Sequence, residues 1–213
     1  GVTTNISASL SLINKDSELL FVAFFRGEVE TGFYRLALGL ANLVQMPVSP
    51  LPAATYPELS RESARRNWSS VRQILSKGSL LAGGYSLAAV TGLAILGRPL
   101  IRLLYGEDFL PAFPALVILL IGFLVANTLY WNRTALLALG RPDFPTRVNL
   151  ALALAKIAGI LLLVPRFGYL ANAALLAGSY IVGTSLCAWK VNQLVTAQET
   201  ALPPTQTQEE AVR

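Results

Sequence analysis

The segment "NLALALAKIAGILLLVP" carries one ionisable side chain, Lys156, near the middle of an otherwise apolar run. A lysine at the centre of a lipid-spanning helix costs about 2.5–3.5 kcal/mol on the insertion scale, unless its ammonium meets water, a carboxylate or an anionic ligand. Lys156 therefore either faces a lumen and holds an anionic group such as a phosphate, or contacts a neighbouring helix or reaches a headgroup through local thinning. Asp16, deep in an earlier helix and on one face with Asn5 and Ser9, is its expected partner when the ligand is absent. In the next helix Arg35, Asn42, Gln45 and Ser49 fall within about 80° on a wheel of 100° per residue. That polar stripe admits two readings. It lines an aqueous cavity, or Arg35 snorkels to water while the amides join helices. Arg133, a turn or so from the inner end of its helix, divides in the same way between snorkelling and lumen. Pro47, Pro50 and Pro52 interrupt the inner half of the second helix as a hinge or as a static kink. Such breaks survive where water or neighbouring helices satisfy the freed backbone. The candidate lumen residues are thus Asp16, Arg35, Asn42, Gln45, Arg133 and Lys156.

Other chemistries lack their residues. The chain contains no histidine, so a His general base, a His metal ligand and a Ser-His-Asp triad are excluded within it. Its single cysteine, Cys187, lies in an apolar run, where it reads as a small buried residue without an internal disulfide. No P-loop occurs. The polar loop "PELSRESARRNWSSVRQILSKG" alternates charges like an interfacial helix and presents no catalytic grouping. The expectation is a protein that is not an enzyme and carries no cofactor or metal. No basic–aromatic module for nucleic acid is visible.

The elements that position these groups follow from length and composition. Hydrophobic residues make up 54% of the 213 residues and charged residues 14%, with a mean hydropathy of +0.53. A soluble domain would be nearer 25% charged. From Phe109 to Trp131 there is no Asp, Glu, Lys or Arg. About twenty helical residues at 1.5 Å each cross the roughly 30 Å hydrocarbon core of a bilayer. The same logic gives six spans, at residues 1–25, 31–57, 72–97, 110–139, 146–164 and 169–195. The reading is an all-α polytopic membrane bundle, a six-helix lobe over residues 1–197 followed by a disordered cytoplasmic tail over 198–213. Strand-like alternation is not sustained, which argues against a β-barrel. The chain begins at Gly1, without Met and already in helix, and is read as a fragment lacking its N-terminal portion.

The punctuation is specific. In "YGEDF", Gly106 suits the left-handed cap of the third helix, Glu107 and Asp108 suit the positive end of the fourth, and Pro111 and Pro114 suit its first turn. "LGRP" recurs at Leu96–Pro99 and Leu139–Pro142 as the same stop signal, Gly at the cap and Pro beyond. Arg61, Arg65, Arg66, Arg72, Lys77, Arg141, Arg147 and Lys190 fall on one side of the membrane, with Arg26, Arg98, Arg102 and Arg166 on the other. This asymmetry places both ends of the chain in the cytoplasm and accounts for most of the net charge of +5.

In this order and spacing the motifs resemble a known family. "NKDSELLFVAFFRGEVETGFYRLALGLANLVQMPVSPLPAATYPELSR" is similar to the polysaccharide flippases, the Wzx-like members of the multidrug/oligosaccharidyl-lipid/polysaccharide exporter superfamily. The matching positions are Asp16, Gly27, Gly32, Tyr34, Ala37, Pro57, Leu59 and Ser60, with Phe33 where the family often has Tyr. "LIRLLYGEDFLPAFPAL", "LLALGRPDFPTRVNL" and "VPRFGYLANAAL" resemble the later junctions, except that Leu170-Ala171-Asn172 stands where the family usually has Gly-Ala-Ala. The resemblance covers about residues 5–195. It implies the C-terminal lobe of a two-lobe transporter that works by alternating access in the bacterial cytoplasmic membrane. Its partners would be the bilayer, a missing N-terminal lobe and a lipid-linked saccharide, moved for surface polysaccharide synthesis. A drug or cation antiporter of the same superfamily is the alternative, and would favour acidic lumen groups. A membrane enzyme subunit or scaffold is the third reading.

Overall fold

The computed structural model describes the backbone of residues 2–201 and the side chains of residues 18–200. Along the chain run α1 (Val2–Gln45), α2 (Leu51–Ala64), α3 (Trp68–Tyr105), a 3-10 turn (Glu107–Phe109), α4 (Ala112–Thr128), α5 (Asn132–Ala138) and α6 (Asp143–Ala201). No strand occurs among the described residues. The chain is an all-α membrane helical bundle. Three stretches are long and apolar enough to cross a membrane by length and composition, Trp68–Tyr105, Ala112–Ala138 and Asp143–Thr200.

α1 and α6 each reverse direction at a single glycine. Gly27 has φ 82° and ψ −176°, and Gly168 has φ 64° and ψ −151°. Both lie in a backbone region that is essentially open to glycine alone. The reversal shows in what touches what. The Tyr34 hydroxyl lies 2.7 Å from a Glu18 carboxylate oxygen, although sixteen residues of straight helix would separate them by about 24 Å. A Cβ on Gly183 would come within 2.9 Å of Leu152, and thirty-one residues of straight helix measure about 46 Å. Each long helix is therefore a hairpin of two antiparallel arms: α1a (residues 2–26) with α1b (28–45), and α6a (143–167) with α6b (169–201). The helical arms expected on either side of Gly27 and of Gly168 are present, joined by turns tighter than the sequence suggested. The six expected spans correspond, among the described residues, to three stretches long and apolar enough to cross a membrane.

α4 occupies the centre. Its Ala115, Leu116, Leu119, Leu120 and Phe123 are buried against Tyr34, Ala37, Leu40 and Ala41 of α1b, Ile101 of α3 and Leu176 of α6b. α4 is covered over most of its surface, leaves an apolar face with Ile121 exposed, and carries no polar stripe. Gly122 lets α4 and α6b approach backbone to backbone, since a Cβ there would lie 2.6 Å from the Ala177 Cα. By contrast α3 and α6a turn Leu80, Leu81, Ile95, Leu154 and Leu162 outward, as lipid-facing helices do.

The two ends of the bundle differ. At one, Glu30 accepts from Arg26 Nε at 2.9 Å and from the Tyr169 backbone N–H at 3.2 Å, joining the two glycine turns. The Tyr169 hydroxyl in turn donates to the Pro111 carbonyl at 2.7 Å. At the other, Leu59 of α2, Trp68, Val71 and Leu75 of α3, Trp131, Leu136 of α5, and Val191 and Val195 of α6b form a second core. The two sets of basic residues separate between these ends.

Several boundaries require correction. α1b stops at Gln45 rather than 57, because Pro47 has no N–H to continue the ladder. Pro50 and Pro52 then open α2 as its N-cap and second residue. α3 runs from Trp68 to Tyr105, so the first "LGRP" does not stop it: Gly97 stays helical and packs against Phe113 and Leu116, and Pro99 lies inside the helix on an exposed face. The second copy does end its helix, at Gly140 with φ 70°. The span expected at 110–139 is α4 plus α5, broken at 129–131. Glu107 and Asp108 belong to the 3-10 turn before α4. α6b continues to Ala201 past the expected boundary at 197, while 202–213 lie outside the described residues.

Replacing Gly27 by Ala should cost about 1–3 kcal/mol, the strain of a side chain in this backbone region. Gly39→Ala, in an open helical position, should be neutral or slightly stabilising. Thermal unfolding of both variants in detergent checks this. Equal stability of the two would contradict the glycine-dependent reversal.

Candidate functional site

Inside the bundle, three charged or polar side chains meet from three different arms. Lys156 Nζ of α6a is paired with Glu18 Oε1 of α1a. The other carboxylate oxygen, Oε2, accepts from the Tyr34 hydroxyl of α1b at 2.7 Å. Glu18 is 5% exposed and Tyr34 fully buried, and the Lys156 side chain keeps 23% exposure. The hairpins explain the meeting. Glu18 precedes the Gly27 turn by nine residues and Tyr34 follows it by seven, so the two stand nearly level. Lys156, further from its own turn at Gly168, spans the remaining gap with its long stem.

Among the described residues the partner of Lys156 is Glu18, a carboxylate that the sequence alone did not single out. The side chain of Asp16 lies outside the described residues. Glu18 was legible in principle as a carboxylate level with Tyr34 across the glycine turn, once that turn is taken as a hairpin. Burying a lone carboxylate or ammonium is expensive, but as a pair each supplies the other's counter-charge, and Tyr34 satisfies the second oxygen. The cluster is therefore electrically neutral as a unit. Tyr180 of α6b, stacked edge-on against Phe123, stands within electrostatic reach of the same carboxylate.

The other candidates are not gathered here. Arg35 is exposed on α1b, and Asn42 and Gln45 continue its face half-buried toward the helix end. Ser49 has left the helix and donates to the Met46 carbonyl at 2.8 Å. Arg133 is exposed on α5, on the side of Cys187. Among the described residues neither Arg35 nor Arg133 forms an ion pair. Pro47 and Pro50 are exposed and Pro52 half-buried, in the complete break between α1b and α2. Asn127 of α4 spans this break, donating from Nδ2 to the Val44 carbonyl at 3.3 Å, one of the acceptors a helix end leaves free. Asn172, at the position that departs from the family pattern, is fully buried. Neither of its amide atoms has a hydrogen-bond partner among the described residues. No metal-ligating group of three or more His, Cys, Asp or Glu occurs among them either.

Comparison with known proteins points to membrane proteins. The chain is 28% identical over 205 residues, 93% of its length, to the uncharacterized membrane protein MJ1068 of Methanocaldococcus jannaschii, covering 39% of that protein. It is 28% identical over 113 residues, 52% of its length, to the inner membrane protein YghQ of Escherichia coli strain K12, covering 31% of it. The chain thus spans well under half the length of both relatives. No family model matches, and no solved structure matches. With its apolar helices and these relatives, the chain is part of a membrane protein.

If Glu18 and Lys156 stabilise each other, Lys156→Met and Glu18→Gln should each destabilise the bundle, the first by about 3 kcal/mol or more because it leaves a buried carboxylate alone. The double variant should recover part of that loss, with a coupling on the order of 1–3 kcal/mol. A thermal-unfolding cycle in detergent measures it, and strictly additive losses would remove the pair from the account.

Proposed function

We propose that the chain is one lobe of a transporter that carries a lipid-linked saccharide across the cytoplasmic membrane by alternating access. The observation that carries this reading is the buried Glu18–Lys156–Tyr34 cluster. Ionisable groups within spans are rare and mark substrate or ion pathways by default, and this one joins both hairpins. The sequence resemblance to polysaccharide flippases supports the substrate class. Arg35, exposed on a polar face with Asn42 and Gln45, supplies an uncommitted cation for a diphosphate on the side where a second lobe would close. Lys156 contributes positive charge when its hold on Glu18 loosens, so substrate phosphate and Glu18 compete for one ammonium.

A second reading, a drug or cation antiporter of the same superfamily, is favoured by Glu18 itself, since a buried carboxylate is what a cation-driven exchanger uses. The two separate in a strain lacking the gene. Accumulated lipid-linked saccharide and lost surface polymer support the first; normal polymer with altered drug efflux supports the second. In the first case Lys156→Ala and Lys156→Glu should lower transport roughly tenfold or more, as expected for losing a charge-assisted contact. Lys156→Arg should retain most of it at equal membrane abundance. Full transport by the Ala and Glu forms would remove Lys156 from the mechanism.

The orientation belongs to the same proposal. The end bearing Arg61–Lys77 faces the cytoplasm, by the excess of Lys and Arg there. In a Cys187→Ala background, Glu107→Cys should react with an impermeant thiol reagent in intact cells and Ser69→Cys should not. The reverse pattern would invert the topology.

A further inference from the structure

At the arginine-rich end a cavity of about 150 Å³ opens between α3 and α6b beside Trp131, well above the roughly 10–15 Å³ that one water requires. Its mouth is rich in donors. Arg72 directs one guanidinium nitrogen to Glu199 at 2.9 Å and to Thr196 Oγ1 at 3.2 Å, and its other N–H groups have no partner among the described residues. The Ser79 hydroxyl oxygen accepts from the Trp131 indole N–H, so its own O–H remains to be donated. Ser76 and Asn192 add a hydroxyl and an amide, while Leu75, Val191 and Val195 make the floor apolar. A donor-rich mouth over an apolar floor suits an amphiphile with an anionic head.

Depth selects which amphiphile. α3 carries charge as far as Lys77 and is then uncharged from Gly78 to Gly97, so the cavity lies where that helix enters the hydrocarbon. Trp189 is exposed at the same end of α6b, as aromatic residues are at headgroup level. Arg72 is half-exposed and its partner Glu199 lies in the last turns of α6b, with side-chain exposures of 54% and 33%. An exposed pair of this kind contributes little by itself and exchanges readily.

We infer that this cavity binds the phosphodiester of an anionic phospholipid from the leaflet on the arginine-rich side, with Arg72, Ser76, Ser79 and Asn192 donating to the phosphate. Glu199 competes with the lipid for Arg72, and the acyl chains leave over Leu75 and Val195. The inference does not depend on what is transported.

The test is native mass spectrometry of the delipidated full-length protein titrated with phosphatidylglycerol, with phosphatidylcholine and with soluble glycerol phosphate. Both lipids carry the phosphodiester, but the choline ammonium offsets its charge and is repelled by Arg72, so phosphatidylglycerol should bind roughly tenfold more tightly than phosphatidylcholine. Arg72→Ala should abolish that preference and Glu199→Gln should increase it. Because Glu199→Gln removes no core contact, it keeps the test open if Arg72→Ala fails to fold. Equal binding of the two lipids, or a preference unchanged in both variants, would overturn the site. Glycerol phosphate binding as tightly as phosphatidylglycerol would overturn the lipid assignment.

Discussion

In hydrocarbon there is no water to screen a charge, so an ion inside the bundle has to bring its counter-ion with it. That constraint explains why Glu18 and Lys156, 138 residues apart in sequence, meet on neighbouring arms. The pair in turn constrains the fold. It requires α1a and α6a to lie side by side, and it requires Tyr34 to reach back from α1b to the second carboxylate oxygen. Both demands are met because α1 and α6 reverse within one residue. A loop of several residues would carry more backbone groups to satisfy and would set the depth of each arm less closely. The glycines at 27 and 168 thus do for the chain what a longer connection could not, and Glu30 holds their two turns together.

Around this polar cluster the packing follows the rules of lipid rather than of water. No hydrophobic force draws apolar helices together in a bilayer, so close approach has to come from small residues and from shape. α4 illustrates it with Ala115, Gly122 and Ala126 on buried faces and Ala177 of α6b lying against Gly122. Large apolar side chains on α3 and α6a face outward instead. An inside-out reading, in which exposed leucines mark an unfinished soluble core, therefore misjudges the molecule.

Much of this was legible from residue types. Apolar runs of spanning length located the helices, and Gly106 and Gly140 marked real ends. The depth of Lys156 announced that a counter-ion was needed. What the sequence could not supply was register. Nothing in residue type or periodicity marks Glu18 as the carboxylate level with Lys156, and only the arm-to-arm contact shows it. Periodicity also misread Pro99, because a proline stops a helix only where its neighbours leave the freed carbonyl without a partner or the ring without room. Pro99 sits on the exposed side of a helix that continues through it, with Gly97 packed against Phe113. The prolines at 47, 50 and 52 did break the chain, because they follow one another too closely for either helix to bridge them.

The charges of the bundle fall into two kinds with different capacities. Lys156 is committed, part-buried and neutralised by Glu18, so it offers no net charge while the pair holds. Arg35 and Arg133 are exposed and form no ion pair among the described residues. In the proposed transport, a ligand arriving from outside would meet this second kind first and gain a screened, modest attraction. Only by displacing Glu18 does it reach the first, where the low dielectric makes each charge contact stronger and each unpaired charge costlier. Binding there is inseparable from rearranging the contact between the hairpins, because the carboxylate that loses Lys156 is held on one hairpin and the lysine on the other. In the proposed transport, a site built this way would link occupancy to the relative position of two helical units, as alternating access requires.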